Sequence, residues 1–231
     1  MKTNNVVVKA NNGSYNRISL KFKRFHRTMT EECGGGIGIG GYTVIADTGS
    51  SLLKLLREQL CPDPVPRPEL IGIASPVDKA DLVLSLYLFS VRENGESRRN
   101  ELQAQGGMLK FPPLAVDLHY MITAHSAADV LSRALDEHRI LGRTMQVLYD
   151  NALLRAPYLE GTLADNQEEL RIASESYSTE QLAQAWQFGD SPYKLSLMYR
   201  VGPVLLESTR VKPGPRVVER RITLQDKGRG G

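Results

Sequence analysis

The stretch of the chain that most suggests chemistry is Asp47-Thr48-Gly49-Ser50-Ser51, which follows two apolar residues. An aspartate in such a loop can work as acid and base when a second aspartate shares its proton across a twofold axis. The sequence holds no second Asp-Thr-Gly or Asp-Ser-Gly run, so only a homodimer would supply the second carboxylate.

The run resembles the active-site loop of aspartic proteases, and Ile140–Arg143 resembles their apolar-apolar-Gly-Arg segment. In those proteases the aspartate lies on a loop between strands. Here the run is followed by leucines at helical spacing, namely Leu52, Leu53, Leu56 and Leu60. The pattern favours a helix whose N-cap is Asp47, Thr48 or Ser50, because these side chains accept the free amide protons of a first turn. An aspartic peptidase is the weaker alternative.

The other candidate sites, a glycine run and the histidines and cysteines, lack the patterns of phosphate, dinucleotide and metal sites. Gly34–Gly41 lacks the Gly-Lys-Ser/Thr ending of a phosphate loop and the strand and helix that flank a dinucleotide loop, so it predicts a flexible joint. His119 and His125 have no cysteine or carboxylate at metal spacing, and the two cysteines form no zinc pattern. We therefore expect no metal and no cofactor.

Composition excludes several classes of protein. The chain has 231 residues and is 41% hydrophobic, which is enough for one main domain with a core of its own. It has no apolar run of the ~20 residues that a membrane helix needs, so no membrane insertion is expected. Residues 1–43 carry seven Lys and Arg against two Glu, whereas the remainder carries 22 basic and 24 acidic side chains. A body so close to neutral argues against nucleic acid as a partner. A cytoplasmic protein is the expectation.

Residues 1–32 show no sustained helical or strand period beyond the short stretches Val6–Val8 and Ile18–Phe22. Glycine and glutamate codons resemble the purine-rich sequence that precedes bacterial start codons, and valine can be encoded by the alternative start codon GTG. We therefore expect residues 1–43 to be a disordered or mis-annotated extension, with the main domain starting at Val44.

Five apolar stretches predict strands. Asp81–Arg92 is apolar at both alternating sets of positions, which is typical of a strand covered on both faces. Residues 112–124 place Val116, Leu118, Tyr120 and Ile122 on one side and Asp117, His119, Met121 and Thr123 on the other. The remaining strands are Glu69–Ala74, Glu168–Ser174 and Pro192–Ser208, the last with a polar face that carries Lys194 and Arg200.

Two further helices are predicted. Ser126 with Asp129 suggests a capping box for a helix over Ser126–Asn151. Its predicted inner face contains Val130, Leu131, Ala134, Leu135, His138, Leu141, Met145 and Leu148. A second capping box, Ser178 with Gln181, begins a helix that ends near Phe188-Gly189, with Trp186 packed in the core or in an interface. The predicted fold class is therefore α+β, a mainly antiparallel sheet with flanking helices.

Residues 44–208 resemble the tail-terminator, or cap, proteins of phage-tail-like contractile injection systems. The segments that carry the resemblance are Ile45–Leu56, Leu82–Val91, Pro113–Ala124, Arg139–Leu148, Glu169–Ser174 with Leu182–Phe188, and Pro192–Ser208. The resemblance implies a tail-terminator-like domain over residues 44–208, flanked by flexible N- and C-terminal tails. Residues 209–231 would then be a C-terminal tail that contains a possible added strand.

What the resemblance implies is a structural role without catalysis. Six copies would form a ring on the last ring of the inner tube and stop the growth of tube and sheath, inside a particle that assembles in the cytoplasm and is then released. The partners would be other copies of the chain, the inner tube protein and the sheath protein. The expected partner-binding residues are Lys194, Arg200, Val217, Val218, Arg220, Ile222 and Leu224. A tube-sheath adaptor or tail-completion protein, which would join the tube to another component without stopping its growth, is the main alternative.

Overall fold

The computed structural model describes residues 6–9, 15–18, 41–105, 107–186 and 193–214. The chain divides into two units, Met1–Gly36 and Ile37–Gly231. In the first unit, strands β1 (Val6–Lys9) and β2 (Tyr15–Ile18) form an antiparallel hairpin in which Val6 lies opposite Ile18. The expected disordered or mis-annotated extension stays a prediction, and residues 34–40 of the glycine run lie outside the described part.

The second unit contains nine described strands, four described α-helices and a short 3-10 helix at Pro68–Leu70. In chain order the strands are β3 (Ile71–Ile73), β4 (Leu84–Glu93), β5 (Gln103–Gln105), β6 (Met108–Lys110), β7 (Leu114–Ala124), β8 (Leu153–Leu154), β9 (Leu170–Ser174), β10 (Ser196–Leu206) and β11 (Val211–Pro213). The helices are α1 (Val44–Leu60), α2 (Val130–Asp150), α3 (Gly161–Asp165) and α4 (Thr179–Ala185). None of the described helices is both long and apolar enough to cross a bilayer.

Six of these strands form one sheet in the order β3-β4-β7-β10-β9-β8. Every pairing in it is antiparallel except that of β3 with β4. The predicted α+β fold with a mainly antiparallel sheet is therefore confirmed, and each of the five predicted strands is present, with ends that lie within four residues of the predicted ones.

Strand β7 lies at the centre of this sheet and is buried on both faces. The predicted face of Val116, Leu118, Tyr120 and Ile122 belongs to the main hydrophobic core. On the opposite face, Met121 packs with Trp186 and Met198 in a second, smaller cluster. A strand covered on both sides needs a layer of side chains above and below it, and the helices supply those layers.

Helix α1 covers the first face and starts at Val44, earlier than predicted, so the predicted N-cap at Asp47, Thr48 or Ser50 is wrong. Its buried stripe contains Leu52, Leu55, Leu56 and Leu60, with Leu53 only partly buried. The extra turn forms because Val44 is itself buried in the core, so apolar burial extends the helix beyond the capping side chains.

Helix α2 differs more from its prediction. Asp129 is the N-cap and its carboxylate accepts from the amides of Leu131 and Ser132, so the predicted start at Ser126 is wrong. The helix buries Ile140, Leu141, Thr144, Val147 and Leu148. Of the predicted inner face only Leu141 and Leu148 are buried, whereas Val130, Leu131, Ala134, Leu135, His138 and Met145 are exposed. The predicted packed environment of His138 is therefore also wrong.

The second face of the sheet is covered around α4. The Ser178–Gln181 capping box is present in both directions, as predicted, and Trp186 is buried next to Met121 and Met198. The ring of Trp186 meets that of Tyr193 edge-on at 5.7 Å between centroids. Helix α4 ends at Ala185. The predicted end of this helix, near Phe188-Gly189, lies outside the described residues.

Neither β8 and α3 nor the three-stranded sheet in the order β11-β6-β5 was predicted from the sequence. Each strand of this sheet has only three residues, which is too short to show an alternating pattern. Strand β11 begins the C-terminal tail, and the possible added strand at 217–224 lies outside the described residues.

At Gly202, strand β10 lies so close to β7 that a side chain has no room. A methyl group at this position would collide with the Asp117 carboxylate and lie 3.1 Å from the Val116 carbonyl oxygen. Because the backbone of a paired strand cannot move aside, we expect Gly202→Ala to lower the free energy of unfolding by about 1–3 kcal/mol. Urea denaturation measures the change. Gly95→Ala is the control, since nothing lies within 4 Å of its added methyl group. Equal stabilities of the two variants would contradict the packing.

Candidate interaction surfaces

The Asp-Thr-Gly run is held inside the fold by its own side chains. Asp47 lies in the first turn of α1, and its Oδ2 accepts from the Thr162 amide at 3.0 Å and from the Thr162 hydroxyl at 2.6 Å. The Thr43 hydroxyl donates to the same oxygen at 3.2 Å. Helix α3 has no cap from its own N-cap residue, Glu160. The carboxylate of Asp47 therefore caps α3 instead of α1.

The neighbouring residues of the run are also used in packing. The Thr48 hydroxyl donates to the Val44 carbonyl oxygen at 2.8 Å, and Ser51 Oγ accepts from the Glu160 amide at 2.9 Å. Gly49 is buried against the sheet, where an added methyl group would lie 2.9 Å from Ile73 Cδ1. Together with the bonds of Asp47, these contacts join α1 to the N-terminal end of α3 and to the sheet, which is a scaffolding role.

The second face of the sheet carries a polar network around Arg200, one of the predicted partner-binding residues. Arg200 Nη1 lies 3.3 Å from Asp117 Oδ2, and Arg200 Nε lies 3.7 Å from Glu175 Oε1. Asn94 Nδ2 donates to both oxygens of Asp117, at 3.1 and 3.0 Å. The Arg200 side chain remains 43% exposed, so its guanidinium can reach a partner while its charge is already balanced.

Glu175 joins this network to two aromatic residues. Its Oε2 lies 2.7 Å from His119 Nδ1 and accepts from the Tyr177 hydroxyl at 2.9 Å. Burial of Glu175 works against its charge, but the hydrogen bonds from His119 and Tyr177 and the nearby positive charge of Arg200 hold its pKa below the usual range. Burial together with the bond to Glu175 raises the pKa of Tyr177 to about 12. Tyr177 is therefore a stable donor at neutral pH.

A cleft of about 350 Å³ opens beside the network and is lined in part by Asn94, Asp117, Arg171 and Arg200. In the network beside the cleft, Asp117 pairs with Asn94 and Arg200, and His119 pairs with Glu175, which satisfies the buried polar groups of the central strand β7. Within residues 41–105, 107–186 and 193–214, no three His, Cys, Asp or Glu side chains are grouped so as to hold a metal ion. The arrangement is suited to binding a charged group of a partner at its exposed edge.

Lys194, the other predicted residue of the polar face, lies apart from Arg200. Its Nζ pairs with Glu137 Oε1 of α2 at 3.0 Å. Six residues of extended chain separate the two cations, which corresponds to roughly 20 Å. The remaining predicted residues, Val217, Val218, Arg220, Ile222 and Leu224, lie outside the described part of the chain. All seven stay predictions.

His125 is a buried titratable group to which sequence analysis gave no role. It is only 3% exposed, its Nε2 lies 2.9 Å from the Ser85 hydroxyl, and its Nδ1 has no partner among the described residues. Burial, with the positive charges of Lys194 and Lys79, lowers the pKa of His125 to about 4. No spacing pattern marks this residue, because its burial results from the pairing of β4 with β7.

Comparison with known proteins gives a family and a fold. Residues 48–220 match the model of the Pvc16 N-terminal domain family. The fold is similar to the sheath/tube terminator of the extracellular contractile injection system PVC in its extended state, with a TM-score of 0.54 and 17% identity over 81% of this chain. It is also similar to the tube-terminating cap of the anti-feeding prophage, with a TM-score of 0.50 and 18% identity over 78% of this chain.

The chain spans 65% and 61% of the length of these two solved proteins. No curated protein sequence matches it.

The Asp47 cap yields a stability prediction. Asp47→Ala removes the acceptor of both Thr162 donors, so we expect the free energy of unfolding to fall by about 1–2 kcal/mol. Asp47→Asn keeps a side-chain oxygen at the cap and should lose less. Chemical denaturation of the two variants measures the difference. An unchanged stability of Asp47→Ala would show that the carboxylate does not hold α3.

His125 yields a pH prediction. Because its pKa in the folded chain lies below the ordinary value of 6.5, protonation favours the unfolded state. Its contribution to stability is complete above about pH 6.5 and is lost as the pH falls toward 4. Between pH 7.5 and pH 5.0, the free energy of unfolding of the wild type should fall further than that of His125→Gln, which cannot titrate. We expect the two decreases to differ by on the order of 1–2 kcal/mol. Urea unfolding at both pH values gives the comparison.

Ser85→Ala is the matched control for the His125 experiment, because it removes the partner of Nε2 but keeps the imidazole. It should retain the pH dependence of the wild type. A His125→Gln variant with the same pH dependence as the wild type would show that other groups cause the loss.

Proposed function

We propose that this chain, which belongs to the Pvc16 N-terminal domain family, is a structural terminator that caps the inner tube and sheath of a contractile injection system. The observation that carries the proposal is the family match over residues 48–220. The fold shared with a PVC sheath/tube terminator and with the anti-feeding prophage cap supports it, because both of those proteins end a tube.

The edges of the described sheets suit this task. A terminator must bind the last ring of a tube and offer no edge to which a further subunit can add. The edge strands of the six-stranded sheet have three residues in β3 and two in β8. At the edge of the smaller sheet, β11 ends in Pro213, which has no amide proton to donate. Short or interrupted edges of this kind give an incoming strand little to pair with.

The proposed assembly is a ring of six copies in contact with the inner tube and the sheath. A closed ring uses two different surfaces of each copy, one for each neighbour. Arg200, half-exposed at the edge of the polar network, and Lys194, which pairs with Glu137, are the proposed contacts of the polar face. The segment at 217–224 is the proposed strand that adds to a sheath subunit. The particle is assembled in the cytoplasm and then released.

The proposed role makes and breaks no bonds. The geometry of Asp47 supports this view, since the carboxylate that a peptidase would need as its catalyst accepts three hydrogen bonds from Thr43 and Thr162. The two solved proteins of similar fold are themselves cap proteins.

Tube growth tests the proposal directly. Inner tube protein from the same particle is polymerised with and without the full chain, and tube lengths are measured by negative-stain electron microscopy. We expect the chain to end growth, so that tubes stay short when more tube protein is added and carry the cap at one end. End-on class averages count the copies in the ring.

The same images separate the alternatives. Tubes that carry the chain at an end and continue to grow would identify an adaptor in place of a terminator. Tubes that never bind the chain would refute a role at the tube end. Removal of residues 215–231 tests the tail, because a sheath that stays anchored to the truncated cap would refute strand addition.

A further inference from the structure

The outward side of α2 carries a regular stripe of residues. Its six members are Leu131, Leu135, His138, Gly142, Met145 and Tyr149, which we call the outer stripe. They are spaced by four, three, four, three and four residues, so on a helix they lie within roughly 40° of one line. A strict repeat of this kind is the seam by which one helix packs along another.

The outer stripe is exposed although most of its side chains are apolar. Leu131 is 94% exposed, Leu135 61% and Tyr149 82%. The opposite side of the same helix holds the buried residues Ile140, Thr144 and Val147. A helix that is apolar on two opposite sides is typical of one that lies between two layers of protein.

Polar contacts fix the rotation of the helix so that the stripe faces out. The Ser126 hydroxyl donates to the Asp136 carboxylate, and Glu137 accepts from the Ser126 amide at 3.2 Å and from Lys194 at 3.0 Å. These two acidic residues hold the N-terminal half of α2 by its polar side. The exposure of Leu131 and Leu135 is therefore a consequence of defined contacts within the body of the protein.

Gly142 gives an independent indication. It lies in the interior of α2, where glycine is a poor helix former, and nothing lies within 4 Å of the position that its Cβ would occupy. Among the residues that the structure describes, no packing requires a glycine there. A missing side chain in the middle of a seam allows another backbone to approach closely.

Charges beside the stripe indicate the partner. Arg139 and Arg143 lie along one border of the stripe. Among the described residues, Arg139 forms no ion pair, and the one hydrogen bond of the Arg143 side chain goes to Gln146 Oε1 at 3.4 Å. Two exposed guanidinium groups next to an apolar seam fit an amphipathic helix whose apolar side chains are bordered by carboxylates.

We infer that the outer stripe of α2 binds an acidic amphipathic helix of another protein in the assembly, which crosses α2 at Gly142. The inference rests on the proposed function, because it assigns one face of the cap to a partner. Antiparallel pairing with the same stripe of a second copy is disfavoured, since it would place the arginine borders of both copies on the same side of the contact. Residues 215–231 are disfavoured as occupant because they carry five basic and two acidic side chains.

The first test uses two synthetic helical peptides as probes. Both carry leucine at the four-three spacing of the stripe, one with glutamate and the other with lysine at the bordering positions. Fluorescence anisotropy measures their binding to the full chain. We expect the glutamate peptide to bind at least tenfold more tightly than the lysine peptide. Equal affinities, or no binding of the glutamate peptide, would overturn the inference.

Variants locate the binding face. Leu135→Ser should lower the affinity for the glutamate peptide at least tenfold. The double variant Arg139→Glu with Arg143→Glu should bind the lysine peptide more tightly than the glutamate peptide. Arg98→Glu with Arg99→Glu is the matched control, since it changes the net charge by the same amount on an exposed loop and should leave binding unchanged. Equal effects of the two double variants would point to net charge alone and refute the proposed face.

Gly142→Ala separates binding from folding. Alanine is the better helix former, so the variant should have a higher melting temperature than the wild-type chain. It should also bind the glutamate peptide less tightly, because the added methyl group stands where the partner helix approaches. A higher melting temperature with unchanged peptide binding would show that nothing approaches Gly142. Two further outcomes would also overturn the inference: a dimer in sedimentation that Leu135→Ser abolishes, or tighter peptide binding after removal of residues 215–231.

The outcome is distinguishable from that of the proposed function. If the wild-type chain limits tube length and the outer-stripe variants do so equally well, the function stands and this face is not its contact. If the wild type fails to limit tube length, the proposed function fails, and the peptide measurements still decide what the outer stripe binds.

Discussion

The fold depends on one constraint, the burial of β7 on both of its faces. Its hydrogen bonds go to β4 on one side and to β10 on the other, so side chains must seal the strand from above and below. Apolar side chains of α1 and α2 cover the first face. On the second face Trp186 covers Met121, and Asn94, Arg200 and Glu175 satisfy Asp117 and His119.

The long elements could be predicted from the sequence because many residues repeat the same pattern. Strands β4, β7 and β10 have ten or eleven residues each, and their alternation is clear. Strands β5, β6, β8 and β11 have two or three residues and show no period of their own. Their positions follow from pairings that form only once the long strands are in place.

The prediction of which side of α2 is buried was wrong for a different reason. Helical periodicity finds an apolar stripe but does not say whether it faces inward, and α2 has apolar residues on two opposite sides. The contacts of Asp136 and Glu137 decide which side turns in, and they join residues ten to 57 positions apart. In the same way, Asp47 was expected to cap α1, whereas its partner Thr162 lies 115 residues further along the chain. Such long-range partners leave no signal in local sequence.

The short edges of the six-stranded sheet bear on the time before assembly. A subunit that ends a filament has to accumulate in solution while the filament is still growing. An extended open edge would let these waiting subunits stack on one another and form fibres of their own. With three residues in β3 and two in β8, these edges offer a strand of another copy few backbone groups to pair with. Under the proposed function, the supply of such a subunit, and not its stacking into fibres, then sets how long a growing filament becomes before it is closed.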